Sequence, residues 1–285
     1  MASEYKPSVS LFGRLRFLPG KVFNRLRRIA IPIGPWLSTR VRKTTRPLIR
    51  LGTEYGGWVI VEPSGNVSAR YAVLCGAGED VSFDLSLQAK FDLSCVIADP
   101  TPRAIAHWQQ IIENAARSLL TPINGNIHET YDTSTVDFHK IEYLPTAVWT
   151  EKTELKFWSP ANPKHVSHSA VNIQSTDTFI VVPADTLSGI SRQPSENIEL
   201  VKLDIEGAGL IVVAWMIQNQ YFPSQILVEI EECLFPSLDK FYKTRTCVRD
   251  LESKGYDLVH FDGAANCTFA KRTISTPCQK EDYAA

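Results

Sequence analysis

Two stretches hold residues able to grip a nucleoside. Cys75-Gly76-Ala77-Gly78-Glu79-Asp80 follows the apolar run Tyr71 to Cys75. Glycines at the end of a buried strand let backbone approach a ligand where a Cβ would collide. In open α/β sheets, ligands bind beyond the carboxyl ends of the strands, at the switch in strand order. Asp99 ends the next apolar run, Leu93 to Ala98, 21 residues after Gly78. A carboxylate there can accept both hydroxyls of an adenosine ribose. Its bland alternative is an acid that only opens the Pro100–Pro102 turn. A Gly-x-Gly pair by itself fits a nicotinamide cofactor, adenosylmethionine or a plain tight turn. Glu79 and Asp80 weigh against a pyrophosphate and are compatible with a sulfonium and an ammonium group.

Three further stretches hold candidates for moving a proton. Lys202-Leu203-Asp204-Ile205-Glu206-Gly207 closes a later strand. Asp204 and Glu206 share a face if that strand continues. Either can orient an ammonium group or act as a general base. Together with Glu229 they can also hold a divalent cation, the minority reading. Glu229 closes another strand, and Glu231 and Glu232 after it are expected to face water. His165 and His168 are candidate proton acceptors at neutral pH. Asp204 ranks first as base and His168 second. His107, His128, His139 and His260 have no supporting context.

The elements that must position these residues alternate in type. Strands are expected at Tyr71–Cys75, Leu93–Ala98, Ile141–Val148, Ile198–Ile205 and Ile226–Ile230. Helices fit the apolar spacing of Val81, Leu85 and Ala89, and that of Ile105, Trp108, Ile112 and Ala115. Thr101 reads as the N-cap of the second, with Pro102 in its first turn. Further helices are expected through Met216 and over Val248–Lys254. Leu155–Trp158 and Phe179–Val182 read as extra strands in an insertion, and Gly189–Asn197 as a mobile surface loop. Two closing strands, Tyr256–His260 and Cys267–Ala270, read as an edge hairpin. This alternation predicts an α/β fold, a mostly parallel sheet with helices on both faces.

Residues 1–52 hold twelve of the chain's 30 Lys/Arg and one of its 31 acids, within 285 residues of net charge −1. Val22 to Ile29 has the spacing of a short basic amphipathic helix, which suits an anionic membrane surface or plain packing on the domain. The basic segment lacks a recognisable nucleic-acid module, so no nucleic-acid partner is expected. No run reaches the roughly 18–20 apolar residues of a spanning helix. No cleavable signal is evident, so the expected location is cytoplasmic, with peripheral membrane contact as an option. The six cysteines include no C-x-x-C pair, and no metal site is expected from them.

The chain resembles the FkbM-type methyltransferases, a class I family. The matching stretches are Tyr55-Gly56-Gly57-Trp58, Leu74 to Asp84, Ala98 to Arg103, Pro160 to Ser169, Val201 to Ala208, Leu227 to Glu229 and Gly255 to Phe269. They run in order over residues 52–271, and the joint occurrence of ED-x-SFD, DPTPR and K-x-DIEGA is their most specific part. The resemblance implies a Rossmann-like class I fold, with a seven-stranded sheet and an antiparallel edge hairpin. It implies S-adenosylmethionine as cofactor and methyl transfer to an oxygen of a small molecule or sugar. Gly76, Gly78, Glu79, Asp80, Asp99, Asp204 and Glu206 fall on the family's cofactor-site pattern. Gly209 stands where the family usually has an acid. On this reading residues 1–51 are a basic segment, 52–272 the methyltransferase domain and 273–285 a tail. A nicotinamide-dependent oxidoreductase and a non-catalytic binding protein of the same fold are the alternatives.

Overall fold

The structure is a computed structural model that describes residues 31–65, 67, 70–160, 168–172 and 175–272. The basic helix expected over 22–29, His165 and the tail after residue 272 lie outside these.

Seven strands form the main sheet: β1 Tyr71–Cys75, β2 Ser94–Ala98, β3 Ile141–Leu144, β4 Ile198–Leu203, β5 Gln225–Glu229, β6 Tyr256–Phe261 and β7 Asn266–Lys271. Their order is β3-β2-β1-β4-β5-β7-β6. The first five run parallel, and β7 lies antiparallel to both β5 and β6. Near-continuous apolar runs mark strands covered on both faces. Side chains of β1 alternate accordingly: Val73 and Cys75 enter one core and Ala72 and Leu74 the other. The described helices are α1 Ile33–Arg40, α2 Ser82–Phe91, α3 Pro102–Ala116, α4 Leu187–Ser191, α5 Gly209–Gln218 and α6 Leu238–Ser253. Residues of α2 and α3 fill one core, and those of α1, α4, α5 and α6 fill the other. Side chains such as Leu74, Phe83 and Ile97 are wholly buried, each contributing about 1.5–3 kcal/mol.

The chain runs outward from β1 through β2 to β3, then resumes on the other side with β4, so the switch point lies between β1 and β4. Register decides what meets there. Cys75 is paired with Ala98 and with Leu203, and Leu203 with Val228. The next residue on each strand is therefore Gly76, Asp99, Asp204 or Glu229. All four emerge in one row at the carboxyl edge of the sheet.

Several elements differ from the sequence expectation. The strand expected over Ile141–Val148 ends at Leu144, because Pro145 has no N–H to continue the ladder. Ala147–Val148 instead joins Thr153–Trp158 and Phe179–Asp185 in a separate three-stranded sheet. The expected loop over Gly189–Asn197 begins inside α4. Thr186 caps that helix by accepting from Gly189 N–H at 3.1 Å, and Leu187 and Ile190 are buried. Small polar residues there concealed two apolar anchors. The last helix begins ten residues before its expected start, at Leu238 rather than Val248, where the Ser237 hydroxyl accepts from Lys240 N–H at 3.2 Å. Residues 31–51 carry part of the basic composition yet pack on the α/β unit. Ile31, Ile33 and Leu37 lie in its core, and Leu48–Leu51 pairs antiparallel with Trp58–Val61.

Candidate functional site

A cleft opens at the switch point. Gly76, Gly78, Glu79, Asp80, Asp99, Asp204, Glu206, Glu229 and His168 all line it, together with apolar Ala98, Pro100, Ala147, Val148 and Phe157. Every candidate cofactor or catalytic residue singled out from the sequence and described here reaches this one surface.

The two glycines do different work. Both have left-handed backbone, with φ of +86° at Gly76 and +53° at Gly78. A Cβ on Gly76 would stand 1.7 Å from the Asp204 carbonyl oxygen. Gly76 therefore permits β1 and β4 to end in contact. A Cβ on Gly78 meets nothing within 4 Å, so its free side faces open space. Gly78→Ala is expected to fold at a cost of about 1 kcal/mol, from the left-handed conformation alone. Its methyl group would intrude on a bound ligand. Melting curves with and without S-adenosylhomocysteine check this, and an unchanged ligand-induced shift would refute a ligand at Gly78.

Asp99 joins the glycine turn to β2. Its Oδ2 accepts from Ala77 N–H at 2.9 Å and Gly78 N–H at 3.0 Å. Its Oδ1 accepts from Thr101 N–H at 2.8 Å and from the Thr101 hydroxyl at 2.6 Å. Thr101 occupies the N-cap of α3, as expected, but its hydroxyl turns back to Asp99 instead of capping the helix. All the usual acceptor positions of this carboxylate are in use. A ligand hydroxyl would have to replace or share one of them.

The acidic pair of the turn is also engaged. Glu79 forms an ion pair with Arg103 of α3. Asp80 accepts from the Thr53 hydroxyl at 2.6 Å and from Ser82 N–H at 3.0 Å. The Tyr131 hydroxyl lies under the turn, where it accepts from Val81 N–H, donates to the Glu79 carbonyl and meets His107 Nε2 at 2.8 Å. Burial pushes His107 below its ordinary range, favouring the neutral ring. Sequence reasoning passed over His107 because its partner lies 24 residues away. Asn124 and Asn266 were missed too, since neither belongs to a recognisable motif.

On the other wall the strand does not continue as assumed. β4 stops at Leu203, and Glu206 and Gly207 both take left-handed backbone, φ +46° and +77°. That turn, not strand alternation, returns Glu206 to the cleft beside Asp204. The Ser169 hydroxyl holds the turn by donating to the Glu206 carbonyl. His168 Nε2 lies 3.3 Å from the Ser159 hydroxyl.

Four carboxyls crowd this wall. Burial pushes Asp204 up to about 6, with Lys202 opposing and Glu206 adding to the shift. Burial and the neighbouring Asp204 and Glu206 push Glu229 up to about 9. These neighbours favour the protonated form of Glu229. Glu231 does not face water as expected: it is only 7% exposed. Burial, then contact with Glu206, raises it to about 8. The minority cation reading of the sequence named Asp204, Glu206 and Glu229. The three acids whose oxygens converge are instead Glu206, Glu229 and Glu231. Tyr55 stands at the rim, its phenol raised by desolvation and then by Asp204, Glu206, Glu229 and Asp80.

Gly209 has a local reason. A Cβ there would lie 2.8 Å from both the Glu229 carbonyl and a Val228 methyl. In this chain α5 begins too close to β5 for a side chain.

No protein-family model matches the chain, and no curated protein matches it. Among solved structures, it is similar to a chain of a fibrillarin/Nop5p complex at 10% identity and a TM-score of 0.35, covering 72% of this chain and 74% of that one. It is also similar to TYW2 of M. jannaschii in complex with AdoMet, at 10% identity and a TM-score of 0.28, covering 81% of this chain and 90% of that one. Likeness this distant carries no statement about what this chain binds. No described helix is long and apolar enough to cross a membrane.

Proposed function

We propose that the protein is a class I, FkbM-type methyltransferase that uses S-adenosylmethionine to methylate a hydroxyl of a small molecule or sugar. One observation carries the reading. Among the described residues, the cleft at the switch point is lined by six acidic side chains, those of Glu79, Asp80, Asp99, Asp204, Glu206 and Glu229, and by no lysine or arginine. A pyrophosphate needs donors and positive charge. A ligand carrying a sulfonium and an ammonium group suits an acidic cleft. This weighs against the nicotinamide-dependent alternative.

The residues present fit that cofactor. Gly78 leaves room for a close approach, a ribose hydroxyl can take the place of one of the four donors to Asp99, and Pro100, Ala147 and Val148 offer apolar surface to an adenine. Acids of the β4 and β5 ends suit the ammonium group. When bound, the cofactor supplies an electrophilic methyl group. Asp204 accepts the proton of the attacking hydroxyl, with the Glu229 carboxyl beside it. His168, on the same cleft, is the second candidate for that role. Peripheral membrane contact through the basic N-terminal segment remains part of this proposal, and no nucleic-acid partner is included in it.

Equilibrium titration of the purified protein with S-adenosylmethionine and with NAD tests the reading. We expect saturable binding of the first only. Asp99→Ala removes charge-assisted bonds worth about 1.5–3 kcal/mol in total and is expected to weaken affinity roughly ten- to hundredfold. Parental affinity in this variant would remove Asp99 from the site. Binding of NAD alone would return the chain to the oxidoreductases.

A further inference from the structure

We infer that Glu206, Glu229 and Glu231 form a site for one hard divalent cation, of the Mg²⁺, Mn²⁺ or Ca²⁺ kind, on the wall of the cleft. One oxygen from each carboxylate lies within 4.8 Å of the others. A single ion with metal–oxygen bonds of roughly 2.0–2.6 Å can bridge such a set. Separate elements deliver the ligands: the left-handed turn after β4, the end of β5, and the 3-10 turn Glu231–Cys233 that follows it.

Acids often cluster without a metal, and proximity alone would carry nothing. The second observation is Glu231. The residue is only 7% exposed. Its Oε2 is fully enclosed and accepts no hydrogen bond. Buried carboxylate oxygens normally find a donor, and an exception calls for a missing partner. No lysine or arginine forms an ion pair with any of the three among the described residues. Glu206 shares a hydrogen bond with Glu231, and Lys240 lies near enough to act on it; a cation from outside the chain would take the place of that shared proton and give Oε2 its partner. An all-oxygen set without sulfur or imidazole selects hard ions over zinc or copper.

Glu206 and Glu229 border the cleft while Glu231 lies behind them. The ion's remaining coordination positions therefore open toward the cleft, where water or an oxygen of the methyl acceptor can occupy them. That acceptor role rests on the methyltransferase reading, whereas the cation site does not.

The test uses the full chain, stripped with EDTA, and the metal alone. Titration with MnCl₂, read by the electron spin resonance of free Mn²⁺, is expected to show one site per chain with a Kd of about 1 mM or tighter. Mg²⁺ and Ca²⁺ should displace it. Glu231→Gln and Glu206→Gln are each expected to weaken binding at least about tenfold, because each removes one charged ligand. Glu232→Gln should not change it. Circular dichroism melts establish that each variant is folded, and the two independent ligand variants guard against the loss of either. Absence of saturable Mn²⁺ binding overturns the inference, as does unchanged affinity in whichever ligand variant folds. S-adenosylmethionine binding is titrated separately in EDTA, so failure of the cation site and failure of the cofactor site give different results.

Discussion

Lys202→Met is expected to lower the stability of the folded protein by about 3–5 kcal/mol, the usual consequence of leaving one member of a buried ion pair alone. Lys202 lies in the central strand β4, and its side chain is 2% exposed. Its amine reaches the Asp84 carboxylate of α2 at 3.3 and 3.5 Å, and that carboxylate is wholly buried. The amine also sits 5.8 Å from the centre of the Phe83 ring. Burial pushes Lys202 down, but the Asp84 and Asp204 carboxylates outweigh it and hold the amine charged. With methionine at 202, Asp84 has to take up a proton or remain a lone charge in an apolar core. The double variant Asp84→Leu/Lys202→Met removes both charges and is expected to recover much of the loss, since well-packed apolar replacements of such pairs are often neutral or better. Urea unfolding of the parent, both single variants and the double variant measures this. A Lys202→Met protein within about 1 kcal/mol of the parent would show that the pair does not hold the sheet to α2.

Asp204→Asn is expected to lower methyl transfer by about 10²–10⁴-fold, the ordinary contribution of a general base, with a smaller loss, at most about tenfold, in S-adenosylmethionine affinity. The side chain is placed by backbone that cannot easily move. Asp204 N–H donates to the Cys75 carbonyl at 3.1 Å, and the Asp204 carbonyl packs against Gly76. Burial raises its carboxyl while Lys202 opposes the shift, which suits a group that takes up a proton. Asparagine keeps the shape and loses the ability to accept a proton. Transfer of labelled methyl from S-adenosylmethionine to fractionated cell extract identifies an acceptor, and turnover on that acceptor is then compared. More than a tenth of parental turnover in the asparagine variant would move the base role to His168.

Much of the architecture was legible because it is locally encoded. Five parallel strands, the edge hairpin and helices α2 and α3 follow from apolar spacing over neighbouring residues. The turn at Gly76–Gly78 and the acid at Asp99 were legible for the same reason, since special backbone at a strand end demands particular residue types within a few positions. Misjudged elements were those where short-range signals conflicted. Pro145 cut a run that looks continuous, and serine and glycine around α4 concealed Leu187 and Ile190.

The amino-acid sequence by itself determined an alternating α/β fold, a glycine turn, and acids waiting at the ends of strands. Only the tertiary structure decided what those acids face. Register across β2, β1, β4 and β5 put Asp99, Gly76, Asp204 and Glu229 in one row. It also brought Lys202 to Asp84 across 118 positions, and His107 to Tyr131 beneath the turn. Glu231 looks like a solvated surface acid in the chain and is a buried one in the fold. The reason is physical: backbone conformation is set mainly by adjacent residues, whereas the burial of a charge depends on which distant strands pair beside it.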